Sequence, residues 1–118
     1  MGSPVVKWQI VAPDAAAVTS FYSKLFGWTV DASNALGYRE LRSGDERGID
    51  GGVWPAPAPG AAMVQLFVEV DDVQLHLDRA ASLGARVLVP RTELPDGDVM
   101  ALFVDVAGLS CGLVQARR

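Results

Sequence analysis

The sequence predicts an α+β fold built from two successive βαβββ modules, roughly residues 4–54 and 62–116. One order of elements occurs twice: a β-rich segment, a helix preceded by aspartate, a glycine that ends the helix, and three further strand segments. A Pro/Ala-rich stretch at 55–61 separates the two copies and is typical of a linker, since proline cannot donate to a β-ladder. We therefore expect the 118 residues to form a single domain of two duplicated modules.

The first module begins with the segment 5–11, whose β-branched and aromatic residues predict a strand. Asp14 then caps a helix, and Gly27 ends it by taking a positive φ. The apolar side chains of this helix recur at helical spacing and form one face: Val18, Phe21, Tyr22 and Leu25. Three short strand segments follow at 28–32, 37–42 and 48–54, with a turn at 43–45 before the last of them.

The second module repeats this plan. The segment 63–70 predicts a strong strand, Asp71-Asp72 caps the second helix, and Gly84 ends that helix. Its apolar stripe consists of Val73, Leu77, Ala80 and Leu83. The remaining strand segments are 86–89, closed by Pro90, then 100–104 after a turn at 95–98, and finally 109–115.

The strands have two different sides. Alternate residues of a strand point to opposite faces, so the aliphatic positions of 64–70 should lie under the helices. The other side is chemically mixed and carries Lys7, Gln9, Gln65, Phe67 and Glu69. From the residues alone, this mixed side is either a solvent-exposed face of an antiparallel sheet or the concave face of a cleft.

Composition excludes several classes of partner. The chain has 10 basic and 14 acidic residues and no basic cluster, so we expect no nucleic-acid partner. No apolar run is long enough to span a bilayer and no signal peptide is recognisable, so we expect no membrane association and a cytoplasmic location. The single cysteine, Cys111, excludes an internal disulfide, and the single histidine, His76, excludes a site with two histidines. We interpret Cys111 as a small core residue and His76 as a partly exposed one.

Several segments together resemble a known superfamily. They are Val5–Ile10, Asp14, Phe21-Tyr22, Leu25–Trp28, Gly51-Gly52, Phe67–Asp72, Leu83–Ala85, Phe103–Asp105 and Gly108. In these segments the chain resembles the vicinal oxygen chelate superfamily, which includes glyoxalase I, extradiol dioxygenases and the bleomycin- and fosfomycin-resistance proteins. The resemblance covers nearly the whole chain. It implies paired βαβββ modules in a curved mixed sheet around a cleft, and a homodimer.

The resemblance also implies a divalent metal in the cleft, held by His, Gln or Glu side chains on four strands. The four ligand positions correspond in this sequence to Lys7, to residues 48–51, to Gln65 and to Gly112. Within 48–51 only Asp50 could ligate a metal. A protonated lysine has no lone pair and glycine has no side chain. Since a catalytic divalent site needs about three protein ligands, we predict a metal-free site with no cofactor.

Eleven residues are candidates for lining the pocket: Lys7, Gln9, Tyr38, Asp50, Trp54, Gln65, Phe67, Glu69, Met100, Leu102 and Gly112. Lys7 is the most informative, because a charge on an inner face needs a partner. It either pairs with a carboxylate, for which Glu69, Asp50 and Glu40 are available, or meets an anionic or carbonyl-bearing ligand. Trp54 could stack on an aromatic ligand.

Three functions remain open, in this order. The first is metal-free binding of a small molecule, aromatic or anionic, in a glyoxalase- or bleomycin-resistance-like cleft. The second is a metal-independent enzyme of the lyase or isomerase type that uses Lys7 with Glu69 or Asp50 for proton transfer. The third is a non-catalytic dimeric interaction module. The sequence assigns no catalytic residue.

Overall fold

A computed structural model describes residues 2–34, 37–56 and 62–117. Most of the predicted linker, residues 57–61, lies outside the described residues. The described residues contain two helices and eight strands in the order βαβββ-βαβββ, which confirms the predicted α+β fold. The first five elements are β1 (Val5–Ala12), α1 (Ala15–Phe26), β2 (Thr29–Asp31), β3 (Arg39–Arg42) and β4 (Gly51–Pro55). The next five are β5 (Met63–Val70), α2 (Val73–Ser82), β6 (Arg86–Glu93), β7 (Val99–Val104) and β8 (Ser110–Gln115).

The chain divides into two compact units. The N-terminal unit is Lys7–Gln65, and the C-terminal unit combines Met1–Val6 with Leu66–Arg118. The N-terminal unit has the strand order β2-β3-β4-β1, with β1 parallel to β4 and the other pairs antiparallel. The C-terminal unit has the equivalent order β6-β7-β8-β5, with β5 parallel to β8. The repeated order of elements is thus also a repeated pairing scheme.

Both helices begin where the sequence predicts, and α1 also ends there, whereas α2 ends at Ser82 with Leu83 as its C-cap, and the predicted Gly84 follows with a φ of 105°. Asp14 accepts a hydrogen bond from the Ala17 amide at 3.0 Å, and Gly27 ends α1 with a φ of 73°. In α2 the cap is Asp72, which accepts from the Leu75 amide at 3.0 Å. These carboxylates satisfy amides of the first turn that have no partner within the helix.

The core of the N-terminal unit lies between α1 and the sheet. Its buried residues are Ala15, Leu41 and Val53, with Trp8, Ile10, Val18 and Trp28 packed against them. The rings of Trp8 and Trp28 lie with centroids 5.3 Å apart and pack in this core. Gly51 is required beneath them, because a Cβ at this position would overlap the Trp8 indole.

The core of the C-terminal unit lies under α2. It comprises Val70, Val73, Leu77, Val99, Ala101 and Leu113, with Val68 and Phe103 partly buried beside it. Within the predicted stripe of α2, Val73 and Leu77 are buried, whereas Leu83 is 76% exposed at the end of the helix. Neither helix of the described residues combines the length and the apolarity that crossing a bilayer requires.

The prediction that Pro90 closes its strand is wrong. β6 continues through Pro90 to Glu93, with register shifts between Val87 and Val89 and again between Val89 and Thr92. β6 lies at the outer edge of the C-terminal unit's sheet. An edge strand with an irregular register tolerates a residue that lacks an amide hydrogen.

The prediction that the aliphatic side of β5 lies under the helices holds only for its second half. Val70 belongs to the core, but Val64 is 69% exposed and Leu66 is 53% exposed. The mixed side is the buried one at this end of the strand, since Gln65 and Phe67 are nearly inaccessible. The end of β5 contributes residues to the core under α2, whereas the residues at the beginning of β5 do not belong to that core.

Candidate functional site

The sheet of the N-terminal unit has one face covered by α1 and one face pointing away from it, here called the helix-distal face. Trp8 packs on the α1 side, so its neighbours Lys7 and Gln9 point to the helix-distal face. In the parallel β1–β4 pair, Gln9 is level with Gly52, and Val11 is level with Trp54. The register therefore places Lys7, Gln9, Gly52 and Trp54 on neighbouring strands of one surface.

The phenol of Tyr38 lies over this surface. A Cβ on Gly52 would overlap the Tyr38 ring, so glycine at this position creates the space in which the ring rests. The centroids of the Tyr38 and Trp54 rings are 4.9 Å apart. Asn34 holds the backbone of Tyr38 on both sides: its amide nitrogen donates to the Tyr38 carbonyl at 2.6 Å, and its oxygen accepts from the Tyr38 amide at 3.2 Å. Asn34 was not among the predicted site residues, because nothing in its sequence context marks this side-chain role.

The Lys7 ammonium lies above the Tyr38 ring, with 5.6 Å between Nζ and the centroid, a distance at which a cation is attracted to the π-face. Burial, and secondarily the charge of Glu40, raises the pKa of Tyr38 to about 12, so its phenol is neutral at physiological pH. Of the carboxylates predicted as partners of Lys7, Glu40 accepts a hydrogen bond from Arg42 Nε at 2.7 Å. Asp50 is exposed on the loop before β4.

Gln9 and Gln65 form a buried amide pair next to this aromatic surface. Gln9 Nε2 donates to Gln65 Oε1 at 3.0 Å, and the two residues are 3% and 1% exposed. Gln65 Nε2 in turn lies 3.4 Å from the Met63 sulfur. Within the described residues, Gln9 Oε1 is buried and has no hydrogen-bond donor. Both glutamines were predicted as pocket candidates, but their pairing was not.

The candidates of the C-terminal unit are mostly apolar. Phe67 is level with Gly112 in the β5–β8 pair, and Leu102 is level with Gly112 in the β7–β8 pair. A Cβ on Gly112 would overlap the Phe67 ring, which therefore covers the position where the resemblance implied a fourth metal ligand. Met100 and Glu69 are partly buried in the same unit.

The residues present do not fit a metal centre of the kind the resemblance implies. Lys7 brings a cation to the first ligand position, and the Gln65 amide is engaged with Gln9. Asp50 is exposed, and Gly112 lies under an aromatic ring. Across residues 2–34, 37–56 and 62–117, no group of three His, Cys, Asp or Glu side chains is placed to hold a metal ion.

The remaining reactive side chains, Cys111 and His76, belong to the C-terminal unit. Cys111 is half-buried in the C-terminal unit, and burial raises the pKa of its thiol, with the charge of Asp105 acting in the same direction. A raised pKa lowers the thiolate fraction and hence the nucleophilicity of this sulfur. His76 lies on α2 with Nδ1 3.1 Å from the Asp72 carbonyl oxygen, as expected for a partly exposed helix residue.

Two βαβββ modules, each with its first and last strands parallel, define the class of protein: the fold is that of the vicinal oxygen chelate superfamily, as the resemblance implied. The chain belongs to the family of the glyoxalase-like domain, whose model matches residues 6–110.

Known proteins agree with this placement. The protein CFP32, provisionally named a glyoxylase, of Mycobacterium bovis and of Mycobacterium tuberculosis is 29% identical over 111 residues, which cover 89% of this chain and 42% of the relative. The chain thus spans about two fifths of the length of the curated relatives it matches.

Among solved structures, a hypothetical protein from Bacillus halodurans C-125 matches with a TM-score of 0.70 at 9% identity, over 100% of this chain and 97% of that one. Methylmalonyl-CoA epimerase from Mycobacterium tuberculosis matches with a TM-score of 0.62 at 16% identity, over 97% and 88%. At these identities the likeness shows the fold alone.

Proposed function

We propose that the helix-distal face of the N-terminal unit binds a small organic molecule without the divalent metal of the superfamily's enzymes. The observation that carries this proposal is the buried Gln9–Gln65 amide pair beside the Tyr38–Trp54 ring pair. A glyoxalase-like domain would then use its site for recognition by hydrogen bonds, stacking and one cation.

The energetics of the amide pair support a ligand. A buried acceptor without a donor costs about 1–3 kcal/mol, and Gln9 Oε1 has none in the described residues. Apolar side chains of similar size would avoid that cost, because the amide–amide bond itself contributes only about 1 kcal/mol net. An N–H or O–H group of a bound molecule would satisfy Gln9 Oε1, so the site is completed by a ligand that carries a donor.

The neighbouring groups indicate the ligand class. The faces of Tyr38 and Trp54 favour a flat aromatic ring, which stacks in offset or tilted geometry. The Lys7 ammonium above the Tyr38 ring favours a carboxylate or another anionic group on the ligand. We therefore expect a flat aromatic acid that also carries a hydrogen-bond donor. No observation favours proton transfer between Lys7 and Asp50, since Asp50 lies exposed on a loop.

A thermal-shift comparison of four compounds tests the proposal. 6-Hydroxy-2-naphthoate has the flat ring, the charge and a hydroxyl donor, and 2-naphthoate lacks only the donor. 2-Naphthamide keeps the ring without the charge, and cyclohexanecarboxylate keeps the charge without the ring. We expect 6-hydroxy-2-naphthoate to raise the melting temperature most, followed by 2-naphthoate. A ligand at a concentration of a hundred times its Kd stabilises the folded protein by about 2.7 kcal/mol, which corresponds to a rise in melting temperature of roughly 10 °C for a domain of this size.

Two variants separate the contributions. Lys7→Met should reduce the shift with 2-naphthoate to that with 2-naphthamide, whereas Trp54→Leu should reduce both. Added Zn²⁺ or Ni²⁺ should leave the 2-naphthoate shift unchanged. Equal shifts with all four compounds, shifts that survive both substitutions, or binding that requires the metal would contradict the proposal.

A further inference from the structure

Three side chains of the N-terminal unit form a hydrogen-bonded row, here called the amide row: Gln9, Gln65 and Met63. Gln9 Nε2 donates to Gln65 Oε1 at 3.0 Å, and Gln65 Nε2 donates to the Met63 sulfur at 3.4 Å. Gln65 and Met63 are alternate residues of β5, so their side chains point to the same face of the sheet. Both hydrogen bonds of the row thus run in one direction, from Gln9 towards Met63. The oxygen of Gln9 stands at the open end, where it is buried and has no donor in the described residues.

A primary amide can take two orientations in the same space. Rotation by about 180° around its last side-chain bond exchanges the oxygen with the NH₂ group, which is nearly the same size. If both amides of the row rotated together, Gln65 would donate to Gln9, and the NH₂ of Gln9 would stand at the open end. The bond between the two glutamines is therefore possible in either direction, and another contact must favour one of them.

The Met63 sulfur distinguishes the two orientations. A thioether has lone pairs but no proton, so it accepts a hydrogen bond and cannot donate one. In the structure the sulfur faces the NH₂ of Gln65. After reversal it would face Gln65 Oε1, and two acceptors would meet with no proton between them. The sulfur therefore stabilises the direction in which the open end of the amide row is an acceptor.

We propose that Met63 is a specificity-determining residue of the ligand site and acts through Gln65. By stabilising the direction of the amide row, it makes the site select a ligand with an N–H or O–H group at Gln9 and disfavour a ligand that offers only an acceptor there. An acceptor-only ligand would leave Gln9 Oε1 buried and unpaired. This inference rests on the function proposed above, because it names the residue that sets the donor requirement of that same site.

The size of the effect follows from the strength of hydrogen bonds. One net hydrogen bond changes an equilibrium roughly fivefold, and a buried acceptor left unpaired changes it roughly fivefold to a hundredfold. We expect the wild type to bind a donor ligand at least about tenfold more tightly than a matched acceptor ligand. Met63→Leu should reduce that preference about fivefold, because leucine is similar in volume and has no lone pair to favour one direction.

Two naphthoates that differ in one substituent measure the preference. 6-Amino-2-naphthoate carries a donor, whereas 6-methoxy-2-naphthoate carries only an acceptor on the same carbon. Titration calorimetry gives both dissociation constants for the wild type, Met63→Leu and Val64→Leu. Val64→Leu is the matched control, because it changes the next residue of β5, whose 69% exposed side chain points to the opposite face. The ratio of the two constants cancels the size of the methoxy group, and we expect this ratio to change in Met63→Leu alone.

Nuclear Overhauser contacts report the direction of the amide row in the ligand-free wild type. We expect the Nε2 protons of Gln65 to lie closer to the ε-methyl group of Met63 than to the γ-protons of Gln9. The opposite pattern would overturn the inference, because the row would then run the other way.

The binding data separate this inference from the proposed function. If the naphthoates bind but the wild type shows no preference for the amino compound, or if Met63→Leu and Val64→Leu have the same ratio, the role of Met63 is refuted and the proposed function stands. If neither compound binds the wild type, the proposed function fails, and the role of Met63 in specificity fails with it.

Discussion

Replacing Gly52 by alanine tests the geometry on which the proposed binding surface depends. The added Cβ would overlap the ring of Tyr38, so the ring must leave the position in which it lies over β4. Moving it separates Tyr38 from Trp54 and from the Lys7 ammonium. The substitution therefore removes the aromatic surface without changing any side chain that would touch a ligand.

The expected loss of stability follows from the contacts that are broken. An aromatic pair contributes about 0.5–1.5 kcal/mol beyond its buried area, and a cation–π contact at a partly exposed site about 0.5–1 kcal/mol. Overpacking by one methyl group costs about 1–3 kcal/mol when neighbours must shift. We expect Gly52→Ala to lower the free energy of unfolding by about 2 kcal/mol, and the melting temperature by roughly 8 °C.

Urea denaturation and 2-naphthoate binding measure the two effects separately. Gly51→Ala is the control, because its Cβ would overlap Trp8 on the α1 side and so destabilise the same strand away from the helix-distal face. Gly52→Ala should weaken 2-naphthoate binding by about tenfold or more, whereas folded Gly51→Ala should bind like the wild type. In a Tyr38→Ala background, Gly52→Ala should cost less than about 0.5 kcal/mol, since the ring it displaces is gone.

The double-variant comparison tests whether residue 52 contacts the Tyr38 ring. If Gly52→Ala lowers the free energy of unfolding equally with and without the Tyr38 ring, the two residues are not in contact and the reasoning is wrong. Binding that is intact in Gly52→Ala would show that the aromatic surface plays no part in recognition.

Three further predictions concern single groups. Gln9→Leu should cost about 1–3 kcal/mol because it leaves Gln65 Oε1 without this donor, whereas Gln9→Leu with Gln65→Leu should be nearly neutral in urea denaturation. The double variant should also lose the extra affinity of 6-hydroxy-2-naphthoate over 2-naphthoate, and a double variant less stable than both single variants would argue against this pairing. In the folded protein the pKa of Tyr38 is raised from 10.0 to about 12, so the stability that its neutral phenol contributes below pH 10 should be lost as the pH rises from 10 through 12. Absorbance at alkaline pH should show this late ionisation of the phenol, and Tyr38→Phe should remove the signal. Asp72→Ala should lower the free energy of unfolding by about 1 kcal/mol by removing the cap of α2, whereas Asp72→Asn should keep most of that free energy. If both variants lose the same free energy of unfolding, the hydrogen bond to the first turn is unimportant.

Local features of the fold were predictable from short stretches of sequence. Asp14 and Asp72 cap helices because their side chains reach amides three residues on, and Gly27 ends α1 because a positive φ is open to glycine. The bounds of β5 match the predicted segment at both ends. These signals depend on residues only a few positions apart in the sequence, so no distant contact is needed to interpret them.

The candidate site was predictable as a set of residues but not as an arrangement. Strand parity placed Lys7, Gln9 and Gln65 on the mixed side, and the structure keeps the two glutamines buried there. Lys7 contacts the ring of Tyr38, which lies over Gly52 and whose backbone Asn34 holds. The contacts of Tyr38 with Lys7 and with Gly52 join residues far apart in sequence, and periodicity carries no information about them.

What the sequence by itself determined is which residues share a face: the modules, their caps, and the two sides of each strand. Tertiary structure alone decided which face is covered. Phe21 and Val64 have the periodicity of buried residues and are exposed, whereas Gln65 has the polarity of an exposed residue and is 1% exposed. The physical reason is that periodicity is a local property of the chain, while burial depends on which distant element packs against a face.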